Sequence, residues 1–211
     1  MKNKTKIESK KTLKNNIIIK NKTRAEGLHR ILYQCPHCHT EFKMNSRESV
    51  LWCDHCGKEW TYNPDLTLSS ADQNPIFSTV AEWFDWEREN VRKEVVEGTY
   101  HFEDDVQIYA LPNLKRWRKL GVGKLTHDAI NGYHLTYNDK DNNIDIVRKP
   151  TEMYSCHIEY QYRKYGDCLD ISTDEDTFFC HPLTYDNYLT KFHFATEEIY
   201  KYNKDLIKNK K

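Results

Sequence analysis

No stretch of this chain is apolar enough to cross a membrane as a helix. The longest early apolar run is Ile17-Ile18-Ile19, against the ~20 apolar residues a span requires. The N-terminal residues are basic but lack the apolar centre of ~7–15 residues of a secretory leader, so none is expected among them. Glycine and proline are scarce, at seven and six in 211 residues, and no low-complexity linker or internal repeat is present. No G-x-G-x-x-G, Walker loop, G-x-S-x-G or H-E-x-x-H occurs. Dinucleotide, nucleotide-triphosphate, serine-hydrolase and zincin chemistry therefore lose their sequence grounds.

Net charge is absent too, because 32 Lys/Arg balance 32 Asp/Glu. The balance hides a split. Residues 1–30 hold ten Lys/Arg against two Glu, and residues 191–211 hold six Lys against three acids. That leaves residues 31–190 with 16 Lys/Arg against 27 Asp/Glu. A nucleic-acid binder carries its basic stripe on the folded part. Here that part is acidic, which counts against DNA or RNA as the main partner. Mean hydropathy is low at −0.89, yet 13% of residues are aromatic. Disordered chains are poor in aromatics, so most of this one is expected to pack. Its length allows one ordinary domain plus a small module.

Cysteine is abundant. Four of seven fall in CPHCHTEFKMNSRESVLWCDHC, residues 35–56, as two C-x-x-C pairs fourteen residues apart. Each C-x-x-C turn aims two sulfurs at one point, and a hairpin between the turns brings the second pair across. This describes a rubredoxin-like zinc ribbon with Cys35, Cys38, Cys53 and Cys56 as ligands of Zn2+. Four thiolates close the coordination shell, so the site is expected to be structural rather than catalytic. A redox C-x-x-C would need a thioredoxin-like βαβ context, which is missing. His37, His39 and His55 crowd the turns but read as bystanders beside four cysteines in register. His39 stands where Gly57 follows Cys56 in the other pair, and His tolerates positive φ better than most residues. Free thiols and a thiolate site point to a reducing, cytoplasmic compartment.

The expected organisation is a basic, flexible arm at 1–27, the ribbon at 28–63 and a turn-rich linker at 64–75. Residues 76–207 then form a helix plus an antiparallel β domain with a C-terminal helix, and 208–211 is a tail. PIFSTVAEWFDWERENVRKEVVEG reads as one helix, begun by the capping box Thr79-x-x-Glu82 and stopped by Gly98. Val80, Trp83, Phe84, Val91 and Val95 share a face that only Glu87 interrupts. Strands are expected at 100–111, 114–127, 132–138, 143–148, 154–162, 166–172 and 177–182, divided by turn signals such as Asn131-Gly132. A last helix covers roughly 194–207. The fold class is α+β, and seven antiparallel strands followed by one helix is the layout of a pleckstrin-homology-like or GRAM-like barrel.

Cys156, Cys168 and Cys180 lie twelve residues apart. Strand neighbours face opposite ways, so these read as buried core thiols rather than a second metal site. The run Lys115, Arg116, Trp117, Arg118, Lys119 offers an anionic headgroup contact, or else a solvated strand with long side chains.

The phrases LYQCPHCHTEFKM, VLWCDHCGKEWT, WFDWERENVRKEVVEGTYHFEDDV, GKLTHD, MYSCHIEYQYRKYGDCLDIST and FATEEIY have a further bearing. Over about residues 25–203 they resemble the region following the catalytic domain in bacterial lysophospholipid (1-acylglycerol-3-phosphate) acyltransferase-like proteins. That family works through an H-x-x-x-x-D motif. His134 with Asp139 and His181 with Asp186 match its spacing, at the rate chance allows among ten His, and no catalytic residue carries over. The resemblance implies the accessory half alone: a zinc-binding, non-catalytic module tied to phospholipid synthesis, cytoplasmic or peripheral at the membrane. Its expected partner is a phospholipid surface or an acyltransferase domain. The alternatives are a fragment of a 1-acylglycerol-3-phosphate acyltransferase and a zinc-ribbon nucleic-acid-binding protein.

Overall fold

The computed structural model describes residues 18–111, 116–139, 142–173, 176–184 and 187–209. Among them the chain is α+β, with two α-helices and two antiparallel sheets, and it divides into units at 1–89 and 90–211.

In the first unit a 3-10 turn at Leu28–Arg30 precedes β1 (Met44–Arg47), β2 (Val50–Cys53), β3 (Glu59–Tyr62) and β4 (Leu68–Ser69). These strands form a meander in chain order. Leu32, Met44, Leu51, Trp60 and Leu68 bury their side chains with Trp83, from the first half of α1 (Val80–Glu97). The Trp60 and Trp83 rings pack 4.9 Å apart, and the Trp60 indole N–H donates to Pro75 O at 2.8 Å.

Two expected boundaries move. Residues 18–27, assigned to the flexible arm, are attached to the ribbon: Ala25 is fully buried, and its N–H donates to Glu48 O at 2.8 Å. Residues 1–17 lie outside the described residues, as does the end of the tail at 210–211. The expected linker, 64–75, carries β4, and Asp72 within it pairs with Lys58. A two-residue strand is too short to show alternation, so the turn residues around it dominated the sequence signal.

Helix α1 begins at the expected cap. Thr79 Oγ1 accepts the Glu82 N–H at 3.2 Å, while Glu82 Oε2 accepts the Ser78 N–H at 2.9 Å. The end is a Schellman turn: Gly98 sits at φ 71°, its N–H donates to Val95 O, and Thr99 N–H donates to Glu94 O at 2.9 Å. The helix does not belong wholly to the β domain, because Trp83 and Glu87 are buried in the first unit.

The second unit holds β5 (His101–Ala110), β6 (Arg118–Asp128), β7 (Gly132–Asp139), β8 (Asn142–Arg148), β9 (His157–Glu159), β10 (Cys168–Ser172) and β11 (Thr177–Pro182). A strand overlaps each of the seven expected ranges, but that expected at 154–162 spans only His157–Glu159 and leaves Cys156 outside it, and that expected at 114–127 is described from Arg118 to Asp128. The seven form one sheet in the order β8-β7-β6-β5-β11-β10-β9, so a four-strand and a three-strand meander meet at the β5–β11 pair. Arg148, at the end of β8, donates to Ser172 O at the end of β10 from both Nε (3.1 Å) and Nη2 (3.0 Å), drawing the two meanders' ends together. At the β6–β7 turn Gly132 has φ 75°, and a Cβ there would stand 2.1 Å from Arg148 O. Only glycine fits.

Strand alternation assigns Phe102, Ile108, Leu125, Leu135 and Phe178 to one buried face. Helix α2 (Leu189–Asn209) covers it through Phe192, whose ring lies 4.6 Å from His127 and 5.3 Å from Phe102. The helix starts five residues before the expected 194. Thr190 and Phe192 of this first turn suit a strand by local preference, but Leu189 and Phe192 are buried as one helical face. Lys191 pairs with Glu94 of α1 at 2.9 Å.

Candidate metal centre

The two C-x-x-C turns have matching backbones. Cys35 O accepts the His39 N–H and Cys53 O accepts the Gly57 N–H, both at 2.9 Å. Cys35 N–H donates to Thr40 O, and Cys53 N–H to Lys58 O, both at 3.0 Å. The residue after each pair is left-handed, with φ 61° at His39 and 72° at Gly57. The sequence equivalence of His39 and Gly57 thus appears as an equivalent conformation.

This geometry brings the four sulfurs within 4.8 Å of one another. Cys35 Sγ lies 3.8 Å from Cys56 Sγ, and Cys38 Sγ lies 3.8 Å from Cys53 Sγ. A metal with ~2.3 Å bonds to sulfur at the centre of a tetrahedron gives sulfur–sulfur edges of ~3.8 Å. The donor set fits a metal ion that prefers thiolates.

Without an ion the thiols titrate unevenly. Burial pushes the Cys35 and Cys53 thiols up. Burial also opposes ionisation of Cys38, but hydrogen bonds from the Thr40 hydroxyl, the Thr40 N–H and His55 outweigh it and bring that thiol down to about 5. Four thiolates so close repel one another unless a cation sits among them. Two of the histidines also meet other groups: His55 Nδ1 lies 3.2 Å from Thr40 Oγ1, and the His39 ring meets Trp86 edge-on at 5.5 Å.

A buried support behind the first turn escaped the sequence reading. Gln34, just before Cys35, is gripped from both sides of its backbone by α1. Its N–H donates to Glu87 Oε1 at 2.8 Å, and its C=O accepts the Trp83 indole N–H at 2.8 Å. Glu87 is fully buried, and its Oε2 has no hydrogen-bond partner among the described residues. Burial holds its carboxyl well above the usual range. The one signal was Glu87 itself, the sole polar interruption of an apolar helical stripe. Such groups orient metal ligands without touching the ion.

The remaining candidates are dispersed. In the basic run, register pairs Arg118 with Ala110 and Lys119 with Tyr109, so the two point to opposite faces of β6. Arg118 forks onto Asp139 at 2.8 and 3.0 Å. Arg116 is exposed, and Lys115 lies outside the described residues. Cys156, Cys168 and Cys180 are buried free thiols, and burial pushes each of them up. His134 Nε2 pairs with Asp145 Oδ1 at 2.7 Å rather than with Asp139. Asp186, the partner by spacing of His181, lies outside the described residues.

The described residues therefore define a chain with one closed four-cysteine centre and a separate seven-stranded antiparallel unit capped by a helix. No protein-family model and no curated protein matches it. No helix among the described residues is long and apolar enough to cross a membrane.

Proposed function

We propose that this chain is a zinc-stapled, non-catalytic module of phospholipid synthesis, which binds a phospholipid surface or an acyltransferase domain. The observation that carries the reading is the closed sulfur tetrahedron. Four thiolates leave no coordination position for a substrate or an activated water, so such a centre stabilises and positions. The twin turns and short meander support a rubredoxin-like ribbon around Zn2+. In the second unit, a four-strand and a three-strand meander followed by one helix support the pleckstrin-homology-like reading. The acyltransferase connection rests on the sequence resemblance, and headgroup contact on the exposed cations near Trp117.

Metal analysis and two binding assays test this reading. The purified full chain should be colourless, with one equivalent of zinc. It should float with phosphatidic-acid vesicles or be retained by an immobilised acyltransferase domain. Iron in place of zinc would overturn the metal assignment. Failure of both binding assays would overturn the proposed role, as would acyl transfer to lysophosphatidic acid by the chain alone.

A further inference from the structure

The loop between β9 and β10 folds over the sheet face opposite α2. Tyr162 stacks on Phe179 at 5.4 Å with 4° between planes, and Tyr165 meets Tyr109 at 4.3 Å. Phe179 and Tyr109 are register partners across β11 and β5. Trp117 packs into the same cluster, 4.6 Å from Phe179 and 5.6 Å from Tyr109. On this aromatic floor the Arg163 guanidinium lies 4.7 Å from the Trp117 ring and 5.5 Å from the Tyr162 ring. Lys164 Nζ lies 5.4 Å from the Tyr165 ring. Lys119 points to this face beside Tyr109, its register partner.

The loop is pinned and locally strained. Tyr162 N–H donates to Gly166 O at 2.8 Å, and Gln161 N–H donates to Asp167 Oδ1 at 2.7 Å. Gln161 and Arg163 hold φ of 53° and 52°, a region few non-glycine residues occupy. Such outliers concentrate at ligand clamps, where the surroundings over-determine them.

The cations on this floor stack on aromatic rings, but among the described residues no carboxylate pairs with them. Acids outnumber bases in residues 31–190, and neighbouring cations are paired, Arg118 with Asp139 and Lys124 with Glu103. Arg163, Lys164 and Lys119 form no ion pair among the described residues. Beneath Arg163, Trp117 Nε1 is buried with no acceptor among the described residues, and in the same cluster His181, 4% exposed, buries its Nε2 with no partner among them. A guanidinium fork with its plane fixed by stacking loses little freedom when it grips an oxyanion, and two ammonium groups match a second negative charge.

We propose that Arg163, stacked on Trp117 and Tyr162 with Lys119 and Lys164 on the same face, forms a phosphate-binding site. The site deepens the headgroup contact proposed above and rests on that reading only for a lipid source of the phosphate. The full chain is titrated calorimetrically with glycerol 3-phosphate and floated with phosphatidylcholine vesicles with and without phosphatidic acid. Binding is expected in at least one arm, weakened about tenfold or more in Arg163→Ala and less in Arg163→Lys, which keeps the charge and loses the fork. Arg163 is exposed, so metal content should not change in either variant, and the loss of its ring contacts should shift the melting temperature by a few degrees at most. Glycerol 3-phosphate binding without flotation identifies a soluble phosphate ester. Flotation that glycerol 3-phosphate competes away identifies the headgroup. If the native chain binds and Arg163→Ala binds equally well, the site is overturned while the headgroup reading stands through Arg116 or Lys119. Binding in neither arm overturns both the site and the headgroup contact.

Discussion

The first unit closes a core of nine buried residues, two of them cysteines of the four-sulfur cluster, whereas the second draws its core from seven strands and a 21-residue helix. The strands of the first unit run two to four residues, and those of the second reach eleven. Short strands bury too little apolar surface to offset the entropy of ordering them, and a metal held by the four cysteines would supply what the small core lacks. The second unit needs no such staple. Its three cysteines are buried thiols spread over two strands and a loop rather than gathered at one point.

That contrast fails if metal loss unfolds both units or neither. Cys53→Ser, or chelation of the native chain, should release the metal and unfold the ribbon. The effect is the largest expected, because structural zinc sites contribute apparent binding energies of ~10–16 kcal/mol. Calorimetry should then show one transition lost and the other kept. A variant retaining a full equivalent of metal would refute the ligand set.

Phe192→Ala aims at the other side of the comparison. Phe192 is fully buried against Phe102, His127 and Tyr133. Its truncation should cost the second unit ~3–5 kcal/mol, read from urea unfolding, with metal content unchanged. Loss of metal in this variant would mean the units are not energetically separate.

A smaller effect separates the units by pH. Burial brings His127 down to about 3 from 6.5. Between those values the unfolded chain binds a proton that the native chain refuses. The second unit should therefore lose stability as pH falls below ~6.5, at up to ~1.4 kcal/mol per pH unit. Asp170 acts oppositely. Burial raises its carboxyl from 3.8 to about 6, with Glu159 adding to the shift against the pull of His157, so its contribution declines as pH rises through that window. Urea titrations across pH should show the acid slope flattened in His127→Phe and steepened in Asp170→Asn. An unchanged slope in His127→Phe would remove His127 as the cause.

What could be read from sequence was local. The cysteine turns carry their geometry within four residues, down to the left-handed position shared by His39 and Gly57. The strands of the second unit announced themselves through the turns between them, such as Asn131-Gly132, where the neighbouring backbone leaves no room for a Cβ. What stayed hidden depended on partners distant in the chain. Glu87 looked like a flaw in an apolar stripe until Gln34, 53 residues away, supplied the N–H it accepts. The basic run looked like one patch until register placed Arg118 and Lys119 on opposite faces. Arg163 carried no signal at all, because its meaning comes from a tryptophan in another strand's approach.

The matching of the two cysteine turns has a consequence for how the ribbon chooses its own arrangement. Two backbones of one shape offer a passing helix two equivalent docking positions, and a small protein with internal pseudo-symmetry risks settling into the wrong one. The residue after the second turn is Gly57, which has no side chain to distinguish it. The residue after the first is His39, whose ring meets Trp86, while Trp83 and Glu87 hold the adjoining Gln34. One imidazole in place of a hydrogen atom breaks the symmetry, and the helix reads left from right.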